Sequence, residues 1–133
     1  MKELERICKG LADTNRLRIL NLLLHGELCV CDLQYVLASP QPNVSRHLTY
    51  LKNSGLVLDR RDGARMCYSL ADPHEGIRRQ LFGFLQAAFK NEEVFVQDSR
   101  RLKEAVEAGC CNASAWRPYS ALTGPRGALV QRA

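Results

Sequence analysis

The run Ser39-Pro40-Gln41-Pro42 constrains this chain more than any other, because two prolines in four residues stop a helix from passing through. On its N-terminal side Val30 to Leu37 reads as a short helix, entered through Cys29-Val30-Cys31-Asp32. On its C-terminal side a second helix begins near Pro42, since a first helical turn does not need the N–H that proline lacks. Val44, Leu48 and Leu51 fall at i, i+4 and i+7 and make one apolar stripe. Asn43, Ser45, Arg46, His47, Thr49 and Tyr50 lie off it. Two short helices, the second with a polar outer face, form the pattern of a helix-turn-helix, whose second helix enters the DNA major groove. Gln41, Asn43, Ser45, Arg46, His47, Tyr50 and Lys52 are the candidate DNA-facing residues of this unit.

Asn53-Ser54-Gly55 closes the second helix, with glycine where a left-handed residue is wanted. Leu56 to Asp62 and Met66 to Leu70 are extended runs joined by Asp62-Gly63-Ala64-Arg65, a strong hairpin signal. Arg60, Arg61 and Arg65 cluster on that hairpin. A helix-turn-helix followed by a basic hairpin is a winged helix, so the expected class is mainly α with a small β-hairpin. The formal net charge of +5 agrees with a polyanionic partner. Upstream, Met1 to Gly10 reads as a helix with Leu4, Ile7, Cys8 and Leu11 on its apolar face. Asn15 to Leu24 reads as another, capped by Asp13 or Thr14.

After Asp72-Pro73 a long helix carries Ile77, Leu81, Phe84, Leu85, Ala88 and Phe89 at helical spacing. That is more apolar surface than a small winged core needs. Leu4, Ile7, Ile77, Leu81, Phe84, Leu85 and Ala88 are therefore the expected homodimer interface. A further helix spans about Val94 to Glu107, before Gly109-Cys110-Cys111. The tail from residue 112, rich in proline and glycine, is expected to be disordered. The expected division is 1–90 for the winged unit, 91–111 for a helical extension and 112–133 for the tail. The charged start MKELERICKG argues against export, and Ile19 to Leu24 is too short to span a bilayer, which points to a cytoplasmic protein without a membrane partner. Six cysteines in a reducing compartment then suggest metal binding, redox sensing or inert burial. No catalytic set is evident: Ser45 and His47 are too close on one helix to form a triad, and neither a phosphate loop nor a zincin motif occurs.

Three motifs in order and spacing resemble the ArsR/SmtB metalloregulators, winged-helix repressors that act as homodimers on double-stranded operator DNA. They are Leu11-Ala12-Asp13-Thr14-Asn15-Arg16-Leu17-Arg18-Ile19-Leu20, then Glu27-Leu28-Cys29-Val30-Cys31-Asp32-Leu33, then Gln41-Pro42-Asn43-Val44-Ser45-Arg46-His47-Leu48 with Ser54-Gly55-Leu56-Val57. Within the family, Cys29-Val30-Cys31-Asp32-Leu33 is similar to the thiol motif of the arsenical-resistance-operon repressors. The resemblance implies trivalent arsenic or antimony as inducer, held by Cys29 and Cys31. Gln34 stands where a third cysteine can follow. Asp72 and His74 match half of the family's zinc pattern, but Leu85 and Ala88 occupy the other positions, so no zinc is expected on the long helix.

Soft thiolates select soft ions, and trivalent arsenic prefers three sulfurs in a pyramid. Cys29 and Cys31 are expected to converge at the helix entrance, where the backbone is still turning and the helix N-terminus favours the thiolate. Cys110 and Cys111 form a second candidate pair, either completing that site or making another. Cys8 is expected to be a packing residue and Cys67 a strand residue without a ligand role. Competing functions are a thiol redox sensor and a cadmium or lead sensor of the same fold.

Overall fold

The computed structural model describes residues 2–108. They form α1 (Lys2–Leu11), α2 (Thr14–Leu23), β1 (Leu28–Cys29), α3 (Val30–Leu37), α4 (Gln41–Asn53), β2 (Val57–Asp62), β3 (Arg65–Leu70), α5 (Gly76–Phe89) and α6 (Glu93–Glu107). The three strands make one antiparallel sheet in the order β1-β3-β2. This is the expected winged helix-turn-helix, with one addition. The two residues of β1 pair Leu28 with Tyr68 and Cys29 with Cys67, so the chain adds a third strand immediately before α3 begins.

Local chemistry accounts for the boundaries. Asp13 caps α2 by accepting hydrogen bonds from the N–H groups of Asn15 (2.8 Å) and Arg16 (3.1 Å). Arg16 reaches back to donate to the carbonyls of Gly10 (2.9 Å) and Lys9 (3.0 Å), which closes α1. Its guanidinium carbon also stands 4.0 Å from the centre of the Tyr50 ring, tying α4 to the α1–α2 corner. Pro40 precedes α4 with ψ 150° and Pro42 sits in the first turn. Gly55 ends that helix at φ +78°, as the sequence suggested. Gly10 is needed for another reason: a Cβ there would meet Ser54 at 2.8 Å and Leu56 at 3.0 Å, so a side chain would push α1 off the end of α4.

The core runs through every helix. The stripe of Val44, Leu48 and Leu51 is fully buried and packs with Ile19, Leu20, Leu23, Leu33 and Val36. Beneath the wing lie Leu56, Val57 and Leu70. From α5 the core takes Phe82, Leu85 and Phe89, while the Phe89 ring meets Phe95 of α6 at 4.3 Å between centroids. Although the sequence set α6 apart as an extension, Phe95 and Leu102 belong to the same cluster.

A polar seam fixes α6 to α2. Arg18 donates through Nε (2.7 Å) and Nη2 (3.0 Å) to the two carboxylate oxygens of buried Asp98. Asn21 donates to the Phe95 carbonyl (3.0 Å) and to Ser99 Oγ (3.2 Å), and His25 Nε2 shares a 2.8 Å hydrogen bond with the same hydroxyl. The amphipathic pattern of α6 does not disclose this seam, because Asp98 and Ser99 look like solvent-facing residues in sequence.

Candidate functional site

Cys29 is the N-cap residue of α3, with extended backbone (φ −85°, ψ 161°). Its N–H donates to Asp32 Oδ2 at 3.0 Å, so a buried carboxylate within the first turn holds the helix entrance. Leu33 and Val36 are buried against α4, leaving Cys29 at the hinge between sheet and helix. The residue is 4% exposed, and its side chain lies against Cys67 of β3, with 2.9 Å between the two Sγ atoms.

This arrangement corrects the sequence reading in three respects. Cys31 does not converge with Cys29: it is exposed, and its sulfur lies 4.0 Å from Asp32 Oδ1. The neighbour of Cys29 is instead Cys67, expected to be a strand residue without a ligand role. Nor is the Cys29 thiol activated. Burial first, then its bond to Cys67 and the nearby negative charge, push it up to about 12. Removal from water outweighs the helix end. Cys8, expected to pack, is exposed. Cys110 and Cys111 lie outside the described residues.

Soft donors are present for a thiophilic ion, with two sulfurs already adjacent and exposed Cys31 two residues after Cys29. Among the described residues, however, no three His, Cys, Asp or Glu side chains are preassembled as a metal site. A three-coordinate ion would require the first turn of α3 to move.

The same entrance is tied to the wing by a second link. Arg60 of β2 grips Glu27 with bonds of 2.6 and 3.0 Å. Arg60 is also the cross-strand partner of Cys67. Through β1, the sulfur pair and this ion pair, the segment Glu27–Cys29 and the wing form one mechanical unit. The Arg60 guanidinium holds the Glu27 carboxyl below its ordinary value.

The candidate DNA face is partly engaged within the chain. Gln41, Asn43, Arg46, Tyr50 and Lys52 are exposed on α4, and Ser45 and His47 are half-buried. Gln41 donates to Ser45 Oγ (2.6 Å), and His47 Nδ1 approaches Asp13 at 4.0 Å. Lys52 pairs with Asp59 (2.8 Å) and Arg65 with Asp62 (3.2 Å). Such exposed pairs contribute little and can exchange for phosphate. Arg46 and Arg61 make no ion pair among the described residues.

The expected dimer surface divides into two parts. Leu4, Ile77 and Phe84 are exposed, Phe84 by 67%, and Leu81 and Ala88 are half-buried. Ile7 and Leu85 are corrections: both are buried in the protomer's own core, so neither has surface left for a partner.

Residues 13–58, from the cap of α2 into β2, match the family described as bacterial regulatory proteins of the arsR family. An arsenic resistance transcriptional regulator of Pseudomonas putida is 38% identical over 103 residues, covering 76% of this chain and 78% of that protein. The chain belongs to the ArsR family. The arsenical resistance operon repressor of Escherichia coli is 51% identical over 70 residues, 52% of this chain and 59% of its own length. Among solved structures, the homodimeric winged helix-turn-helix DNA-binding domain from Mycobacterium bovis superposes with a TM-score of 0.59 at 33% identity, covering 65% of this chain and 78% of that one. HlyU from Vibrio cholerae gives 0.61 at 28% identity, over 68% and 95%. The family match thus runs from the cap of α2 into β2, and Cys29 and Cys31 lie within it.

Proposed function

We propose that this ArsR-family protein is a homodimeric transcriptional repressor that binds double-stranded operator DNA and lets go when trivalent arsenic or antimony engages thiols at the α3 entrance. The observation that carries this reading is the position of Cys29: it caps the helix that supports α4 and is paired across the sheet with the wing. A ligand there acts on both DNA-facing elements at once. The named arsenical-resistance relatives support the choice of ligand. Binding favours the released conformation by the difference between the inducer's affinities for the two states. Coupling of about 1–3 kcal/mol is common and lowers operator affinity roughly 5- to 150-fold.

The test is operator release followed by fluorescence anisotropy under a non-thiol reductant, with sodium arsenite, antimonite and cadmium chloride titrated separately. Release by arsenite or antimonite at concentrations where cadmium is inert supports the reading; release by cadmium alone removes it. The close approach of the Cys29 and Cys67 sulfurs favours a second reading, a thiol oxidation switch. That reading requires release by hydrogen peroxide and none by arsenite while the reductant is present.

A further inference from the structure

We propose that Cys67 of the wing strand is an inducer ligand, and that Cys29, Cys67 and Cys31 together form a three-sulfur site for trivalent arsenic or antimony. This rests on the metalloid-sensor reading above and names ligands that the α3 sequence by itself does not contain. The geometry points to it. Cys29 and Cys67 stand 2.9 Å apart, sulfur to sulfur, on elements 38 residues apart in sequence, and both are buried. They are direct cross-strand partners in the β1–β3 ladder, so the backbone itself holds the two thiols together. Cys31 is exposed beside the same entrance, and its sulfur and the Cys29 N–H contact the two oxygens of one carboxylate, Asp32. One thiol is therefore open to solvent for first capture, and two adjacent thiols lie behind it.

The chemistry balances without an oxidant. Arsenous acid carries three hydroxyls. Each As–O bond is replaced by an As–S bond, and each departing hydroxide takes the thiol proton and leaves as water. Three thiols release three waters, and arsenic stays trivalent. Soft sulfur ligands suit such a centre. For Cys31 to join the buried pair, the first turn of α3 must unwind toward β3. The unwinding moves the support of α4, while the new bonds fix β3, and through its pairing with β2 also Arg60 and Arg61, against the α3 entrance. The wing is then both sensor and reader.

The decisive experiment maps ligation in the full-length, reduced wild-type protein. One equivalent of phenylarsine oxide, which offers two exchangeable positions, is added before tryptic digestion and mass analysis. Cleavage after Arg18 and Arg46 places Cys29 and Cys31 in one peptide, and cleavage after Arg65 and Arg78 places Cys67 in another. Phenylarsenic bridging these two peptides is the expected result. Phenylarsenic confined to the Cys29–Cys31 peptide, or held by the peptide containing Cys110 and Cys111, overturns the assignment. A second arm titrates sodium arsenite into Cys67→Ser and follows near-ultraviolet sulfur-to-arsenic absorbance together with operator release. The variant is expected to bind operator but to lose both signals. If arsenite releases it at wild-type concentrations, Cys67 is no ligand while the sensor reading stands. If no arsenical binds the wild type, both fall. Should Cys67→Ser fail to fold, the wild-type bridge map alone decides.

Discussion

Replacing Asp98 by Ala should undock α6 from α2 and cost about 3 kcal/mol. Asp98 accepts two hydrogen bonds from Arg18, at 2.7 and 3.0 Å, and its side chain is 3% exposed. Hydrogen bonds to charged groups contribute about 1.5–3 kcal/mol each, which sets an upper bound near 6 kcal/mol. Truncating one partner of a buried pair typically costs about 3–5 kcal/mol, because the other charge is stranded. The Arg18 side chain, however, is 21% exposed and can recover water on its open side, which places the loss at the lower end. Arg18→Ala should cost at least as much, since it strands the more deeply buried group. For a domain of this size about 4 °C of melting temperature accompanies each kcal/mol, so a fall of roughly 12 °C is expected. The assay is urea unfolding by circular dichroism at one fixed protein concentration, because self-association makes apparent stability concentration-dependent. The double variant Arg18→Ala/Asp98→Ala closes a cycle in which the coupling should reach about 2 kcal/mol. A loss below about 0.5 kcal/mol for Asp98→Ala, or strict additivity in the cycle, would refute the claim that this pair anchors α6.

Three other outcomes are expected. Arg46→Ala should weaken specific binding by about 1–3 kcal/mol if it reads a base edge, whereas Arg61→Ala should weaken all DNA alike and flatten the salt slope by about one unit; the reverse pattern in anisotropy titrations swaps their roles. Acidification should loosen the wing. Because Arg60 depresses the Glu27 carboxyl, their link is complete above the ordinary carboxylate range and is lost as pH falls through the lowered folded value. Amide protection factors in β2, corrected for the intrinsic exchange rate at each pH, should fall there in the wild type but not in Glu27→Gln, which lacks the link at every pH; parallel profiles in the two proteins would count against it. Phe84→Asp should shift sedimentation toward monomer and leave the circular dichroism unchanged, whereas Leu85→Asp should unfold the protomer, so loss of fold in both would place Phe84 in the core.

The parts legible in sequence were those written in short-range pattern. Val44, Leu48 and Leu51 show helical spacing, Asp62-Gly63 marks the hairpin, and Pro40 and Pro42 separate the two helices; all three features appear in the fold. What escaped depends on distance in sequence. Cys29 and Cys67 meet only because a strand of two residues, too short to leave a periodic signal, joins the sheet at Cys29. The α5 stripe shows a related ambiguity. Phe84 and Leu85 are neighbours in sequence and equally apolar, yet one faces solvent and the other the core, because which arc of the helix meets α2 is set by the rest of the chain. Helix-end electrostatics pointed to an activated thiol at Cys29, and burial behind β3 reversed the sign.

Among the described residues, the sheet order leaves β2 as an outer edge with one side of its backbone unpaired. A flat apolar edge of that kind invites a strand from another molecule and, at high concentration, aggregation. Here the outer strand ends in Asp59, Arg60, Arg61 and Asp62, all charged, and Leu58 is the one exposed apolar side chain on it. Stacking a second copy in register would bring like charges face to face along most of its length. The arginines proposed to meet phosphate would therefore have a duty in the absence of DNA, which is to keep neighbouring copies from extending the sheet. Replacing Arg60 and Arg61 together by apolar residues would make the protein self-adhesive even where its fold and its thiols were intact.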